Sequence, residues 1–102
     1  MKLVITNMPN LKAAEQLAQQ LIEAHAAACI NILAPCTSIY KWAGKIENTQ
    51  EFPMLIKTTE ARYQEVQRMI REQHPYELPE IICVAVQDGL PEYLNWVENE
   101  TK

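Results

Sequence analysis

The chain has 102 residues, 48% hydrophobic and 22% charged, with only two glycines and six prolines. That is the composition of one globular domain spanning 1–102, with no room for a low-complexity linker. Thirteen acidic against nine basic residues give a net charge of -4, which argues against a nucleic-acid module because such a module needs a basic face to neutralise phosphates.

In chain order, Leu3-Val4-Ile5 reads as a short buried strand ended by the turn cluster Asn7-Met8-Pro9-Asn10. Asn10 is a candidate N-cap. Ala14, Leu17, Ala18, Leu21 and His25 then recur on one helical face, predicting a first helix that runs to about His25. From Ala28 the period changes to two: Ala28, Ile30, Ile32, Ala34, Cys36, Ser38 and Tyr40 share one face, and the β-branched content favours strand. Pro35 and Pro53 each demand a bulge or an unpaired edge. Ala43-Gly44-Lys45 predicts a hairpin turn, followed by a return strand over 46–58 with Phe52, Met54, Ile56 and Thr58 on one side.

Thr58-Thr59 is expected to cap a second helix with Tyr63, Val66 and Ile70 as its apolar stripe. His74-Pro75 ends it, because a residue before proline is pushed out of the helical region. The uninterrupted apolar run 81–86 predicts a strand covered on both faces. After the turn at Asp88-Gly89, Leu90, Tyr93, Leu94 and Val97 mark a short last helix with Pro91 in its first turn. The order β-α-β-β-α-β plus a terminal helix predicts an α+β, ferredoxin-like sandwich. That order also admits an RNA-recognition module, but its third strand offers only Phe52 for base stacking.

The middle hairpin is too long for its own domain. A strand over 27–41 would reach roughly 50 Å at ~3.3 Å per residue, against a radius of gyration near 13 Å for a chain of about this size. Its far half would project with Ile39, Tyr40, Trp42 and Ile46 on open edges. Such edges are normally paired or covered, so pairing with further copies of the chain is expected. The alternative is that bulges at Pro35 and Pro53 fold the hairpin back over its own sheet.

Cys29, Cys36 and Cys83 form no C-x-x-C pair, which excludes a zinc ribbon and a thioredoxin-type centre. They read as buried, reduced thiols of a cytoplasmic protein. No run approaches the ~20 apolar residues of a membrane span, and Leu3-Val4-Ile5 is shorter than the apolar region of a signal peptide. No membrane partner is expected. There is no G-x-S-x-G elbow, P-loop or H-E-x-x-H, and no activated nucleophile or paired acid and base can be named, so no enzymatic activity is expected.

The densest polar constellation is Gln73-His74-Pro75-Tyr76-Glu77-Leu78-Pro79-Glu80. Its prolines hold the backbone extended, and imidazole with carboxylates suits copper or zinc. His74, Glu77 and Glu80 are the candidate ligands. The competing reading is a rigid connector whose His74 caps a helix C-terminus; His25 is read in the same way. Tyr40, Trp42 and Trp96 are candidates to line a ligand cleft, beside the simpler reading as core or interface aromatics. Lys57 and the threonines after it also admit an anion at a helix N-terminus, beside the simpler reading as a cap.

The segments Ala27-Ala28-Cys29-Ile30-Asn31-Ile32, Ser38-Ile39-Tyr40-Lys41-Trp42-Ala43-Gly44-Lys45-Ile46, Met54-Leu55-Ile56-Lys57-Thr58-Thr59, His74-Pro75-Tyr76-Glu77-Leu78-Pro79-Glu80-Ile81 and Tyr93-Leu94-Asn95-Trp96-Val97 occur in one order. Together they resemble the CutA divalent-cation tolerance proteins over essentially the whole length. The resemblance implies a ferredoxin-like fold and a PII-like homotrimer whose long hairpins pair between subunits. It also implies copper, or less favourably zinc, as a divalent cofactor. Some members carry a cysteine late in the first strand and a second histidine just before the HPY stretch; those positions align here with Thr6 and Gln73. Two functions therefore stand side by side. One is a divalent-cation response protein binding metal near His74 and Glu80. The other is a trimeric signalling or scaffold module that holds a small ligand or partner in an inter-subunit cleft lined by Tyr40, Trp42, Lys57 and Tyr76, with no essential metal.

Overall fold

The computed structural model describes residues 1–102. Eight elements follow one another: β1 (Lys2–Met8), α1 (Leu11–Glu23), β2 (Cys29–Ile32), β3 (Cys36–Trp42), β4 (Lys45–Thr58), α2 (Glu60–Gln73), β5 (Ile81–Ala85) and α3 (Pro91–Glu100). The fold is α+β, with an antiparallel sheet of order β2-β4-β1-β5 and β3 paired to β4.

Each helix starts and stops for a local reason. Asn10 caps α1, its Oδ1 accepting from the Ala13 N–H at 2.8 Å. The helix stops two residues short of His25, because His25 takes a left-handed conformation (φ 56) and the Ala26 N–H turns back to the Leu21 carbonyl at 3.0 Å. Thr59 stands at the N-cap position of α2 with extended backbone, but its side chain makes no capping bond. Arg62, in the first turn of α2, instead donates to the carbonyls of Ala24 and His25 at 3.0 and 3.2 Å and ties the end of α1 to α2. The last α2 bond runs from the His74 N–H to the Ile70 carbonyl at 2.8 Å, and Pro75 prevents continuation. Pro91 stands in the first turn of α3.

The two long helices cover one face of the sheet. Val4 and Met8 of β1, Met54 and Ile56 of β4, Ala14, Leu17 and Leu21 of α1, and Val66 and Ile70 of α2 form the core. The other face is partly covered by α3, from which only Val97 is buried.

Two expectations change. The strand expected over 27–41 is broken at residues 33–35 into β2 and β3; Pro35, which lacks an N–H, falls in the gap. Pro53 stays within β4, opposite Asn7 of β1, and next to it the alternation slips, so that Glu51 and Met54 are both buried. The run 81–86 was expected to be covered on both faces, but β5 is an edge strand of this chain with Ile82, Cys83 and Val84 exposed. Its only neighbour is β1, and no element of the chain lies beyond it.

The hairpin does project. The molecule measures 45 × 25 × 23 Å, and the fourteen residues of β4 span that long axis at ~3.3 Å each. Ala43 (φ 52) and Gly44 (φ 79) form its two-residue turn; two positive φ angles match the twist that such short hairpins need. Ile39 is 69% exposed and Ile46 76%, so the fold-back alternative is not adopted. No helix is long and apolar enough to cross a membrane, and all three cysteines are free.

Candidate functional site

The 74–80 loop is fastened to the C-terminal end of β1. The His74 ring is buried and engaged at both nitrogens. Its Nδ1 accepts from the Tyr76 N–H at 3.1 Å, so Nε2 carries the proton and donates to the Asn7 carbonyl at 2.6 Å. The Thr6 hydroxyl, fully buried, donates to the Glu80 carbonyl at 2.7 Å, and Asn7 Nδ2 donates to Glu80 Oε1 at 3.2 Å. The His74 and Tyr76 rings lie 4.7 Å apart at 53°. One imidazole thus joins the strand end, the helix end and the loop.

Between this loop and the projecting hairpin lies a cleft of about 700 Å³, a size that suits a small organic ligand. Tyr40, Trp42 and Tyr76 line it together with Glu51, Glu77 and Glu80. Strand pairing explains the hairpin side. Tyr40 stands opposite Glu47 and Ser38 opposite Thr49, which puts alternate residues of β3 and β4 on the same face. The Thr49 hydroxyl donates to the Tyr40 hydroxyl at 3.4 Å, fixing that ring. Glu51 is only 6% exposed. The Tyr76 phenol is held above its ordinary range, first by burial and then by the Glu51 carboxylate that it faces.

Within the chain the expected metal set does not come together. His74 offers no free nitrogen, because both serve bonds inside the chain. No group of three or more His, Cys, Asp or Glu side chains is placed to hold a metal ion. The Thr6 hydroxyl is spent on the Glu80 backbone. Copper or zinc centred on His74 therefore does not fit these residues, while Glu77 and Glu80 remain exposed at the cleft rim.

The expected cleft set is split. Tyr40, Trp42 and Tyr76 meet in one place, but Lys57 does not join them within the chain. β4 carries Lys57 to its far end, opposite Cys29 and Leu3, where its Nζ bonds Asn31 Oδ1 and lies 3.9 Å from Cys29 Sγ. The Tyr93 phenol of α3 is raised at the same spot, by burial and then by Cys29. Glu51 and Asn7 are the residues that sequence reasoning missed. The signal for Glu51 was the run Glu47, Thr49, Glu51, alternate polar residues on a strand whose partner carries Tyr40.

Comparison with known proteins supplies the family. The sequence profile described as "CutA1 divalent ion tolerance protein" matches residues 2–100. The chain belongs to that family. CutA from Thermus thermophilus, a "divalent-cation tolerance protein", is 35% identical over 100 residues, covering 98% of this chain and 97% of the relative. Mouse "Protein CutA" is 42% identical over 94 residues, covering 92% of this chain but 53% of the mouse protein; the chain spans about half the length of that relative. Among solved structures, the "periplasmic divalent cation tolerance protein CutA" of Archaeoglobus fulgidus superposes with a TM-score of 0.96 at 35% identity over the whole of both chains. CutA from Xylella fastidiosa superposes equally well, at 0.96 and 40% identity, covering 99% of this chain and 97% of the other. The open antiparallel sheet with three helices is thus the CutA architecture, and the family takes its name from tolerance to divalent ions, not from a catalysed reaction.

Proposed function

We propose that this CutA chain works in the cytoplasm as a homotrimeric binding module, with ferredoxin-like subunits assembled in the PII manner. Its ligand site is the cleft between hairpin and loop. The observation that carries this reading is the convergence of Tyr40, Trp42 and Tyr76 on the buried Glu51 in a cleft of about 700 Å³, beside a His74 closed to metal. Self-assembly is supported by the projecting hairpin, where Ile39 and Ile46 are 69% and 76% exposed, and by the uncovered edge strand β5. Apolar edges of this kind are normally covered, and a symmetric ring of copies would cover all of them at once. The three free thiols support a reducing compartment. On this reading, tolerance to divalent ions follows from what the cleft binds, not from a metal centre at His74, and no enzymatic step is involved.

Two measurements on the purified protein test the reading. Light scattering should give the mass of three chains, falling to one chain in Ile39→Asp/Ile46→Asp; a monomer mass for the unaltered protein removes the assembly. Calorimetric titration with Cu(II) and Zn(II) should be unaffected by His74→Ala beyond its loss of stability. Saturable binding at one site per subunit, lost in both His74→Ala and Glu80→Ala, would replace this reading with the metal-binding one.

A further inference from the structure

The cleft carries an inference that rests on the reading above and names the chemical class of its ligand. Glu51 lies 94% buried at the cleft wall and has no counter-ion; the ion pairs of the molecule are those of Arg68 with Glu65 and Glu72 on α2. A carboxylate offers about four acceptor sites, and the group that faces this one is the single phenol of Tyr76. Buried charges are as a rule paired. Lys41 also lines the cleft, but it makes no ion pair with Glu51. The wall thus holds a buried carboxylate with no ion-pair partner in the chain, inside a space open to a ligand.

The other walls select among cations. Tyr40 and Trp42 are 40% and 44% exposed, large aromatic surfaces left at the cleft, and aromatic faces attract cations, indole most strongly. The remaining carboxylates, Glu77 and Glu80, stand exposed at the rim. The three carboxylates do not converge closely enough to share one metal ion. Separated carboxylates with aromatic faces beside them in a cleft of about 700 Å³ fit an extended molecule that carries its positive charges apart.

We propose that the cleft binds an elongated organic cation of the polyamine or guanidino-amine class. One cationic group sits on Glu51 beside Tyr76, its methylene chain runs along Tyr40 and Trp42, and the second cationic group reaches Glu77 or Glu80 at the mouth.

The test titrates the intact assembled protein with spermidine and with agmatine, following tryptophan fluorescence and heat, beside citrate, glucose and Zn(II) as probes of other classes. Spermidine should quench saturably at one site per chain, and the quench should be absent in Trp42→Phe, which retains Trp96. Glu51→Gln should weaken spermidine by roughly thirtyfold or more, the effect of removing one member of a buried charge pair. Glu77→Gln, exposed and free of core contacts, should weaken it by about two- to fivefold, in the range of an exposed ion pair, which keeps the test valid if Glu51→Gln folds poorly. Cation binding that is indifferent to both substitutions overturns the proposal. So does Zn(II) binding at one site per chain that displaces spermidine and depends on Glu51, since the site is then a metal site. If citrate or glucose quenches Trp42 and the amines do not, the cleft reading survives and the ligand class falls. If no probe reaches Trp42, both fall.

Discussion

The strand β4 is one continuous element whose two halves obey different rules. In the inner half, Met54, Ile56 and Thr58 are fully buried, with β1 on one side, β2 on the other and two helices above. In the outer half, β3 is the sole neighbour, and Ile46 is 76% exposed. Isoleucine has the same propensity in both places. Burial is therefore decided by what lies against each face, and the single chain places nothing against the outer half except β3.

The largest expected effect tests that difference directly. Ile56→Ala should cost about 3 kcal/mol, the transfer term plus the cavity left in a closed core. Chemical denaturation should show the same loss at every protein concentration. Ile46→Ala should cost within about 0.5 kcal/mol where the chain is dilute, and more as concentration favours assembly, because coupling to association makes apparent stability concentration-dependent. A loss from Ile46→Ala as large as that from Ile56→Ala at the lowest concentration would mean that both halves belong to one core.

The loop that faces the outer half is held by the end of β1, the strand paired with the inner half. His74→Ala leaves the Asn7 carbonyl and the Tyr76 N–H without their partner. At about 1–3 kcal/mol for a buried group left unsatisfied, with water replacing part of it, the expected loss is about 2 kcal/mol, read as a lower denaturation midpoint. Glu80→Ala removes one exposed bond to Asn7 and should cost under about 1 kcal/mol. Equal losses would mean that the imidazole is not the anchor.

At the tip, Ala43 holds a left-handed conformation (φ 52) beside Gly44. Ala43→Gly should relieve about 0.5–1 kcal/mol, the left-handed penalty less the entropy that glycine loses. If the tip matters chiefly to assembly, the gain appears in the trimer-to-monomer midpoint and not in the melting of dilute chains.

Sequence reasoning recovers what local chemistry controls. The Asn10 cap, the end of α2 before Pro75, the turn at Ala43-Gly44 and the apolar face Met54, Ile56, Thr58 all follow from residue type and period. The projecting hairpin followed from length alone. What it missed depends on approach in space. No local pattern tells that the Asn7 carbonyl meets the His74 ring. Within one chain the register of β4 sends Lys57 to the opposite end from Tyr40, so the two can line one cleft only between subunits. The run 81–86 reads as doubly covered because its composition is that of a buried strand, whereas its place at the sheet edge depends on strand order, which composition does not encode. Glu51 sat in the alternate polar run Glu47, Thr49, Glu51, whose meeting with Tyr76 no local pattern encodes.

The smallest effect joins the two halves, because Glu51 lies where they meet. The Tyr76 phenol is raised above its ordinary value of about 10, with burial the larger cause and Glu51 next. A raised phenol means that the fold favours its neutral form. That contribution is complete below the ordinary value and is lost as pH climbs through the raised one. Glu51→Gln removes the charge but leaves the burial, so the titration of Tyr76, assigned by its disappearance in Tyr76→Phe, should move part of the way down and stop short of the ordinary value. Lys57→Met, at the far end of β4, should leave it in place. A Tyr76 titration that follows Lys57 and ignores Glu51 would show that the two ends of the strand share one electrostatic environment, and the division of β4 into an inner core strand and an outer cleft strand would no longer hold.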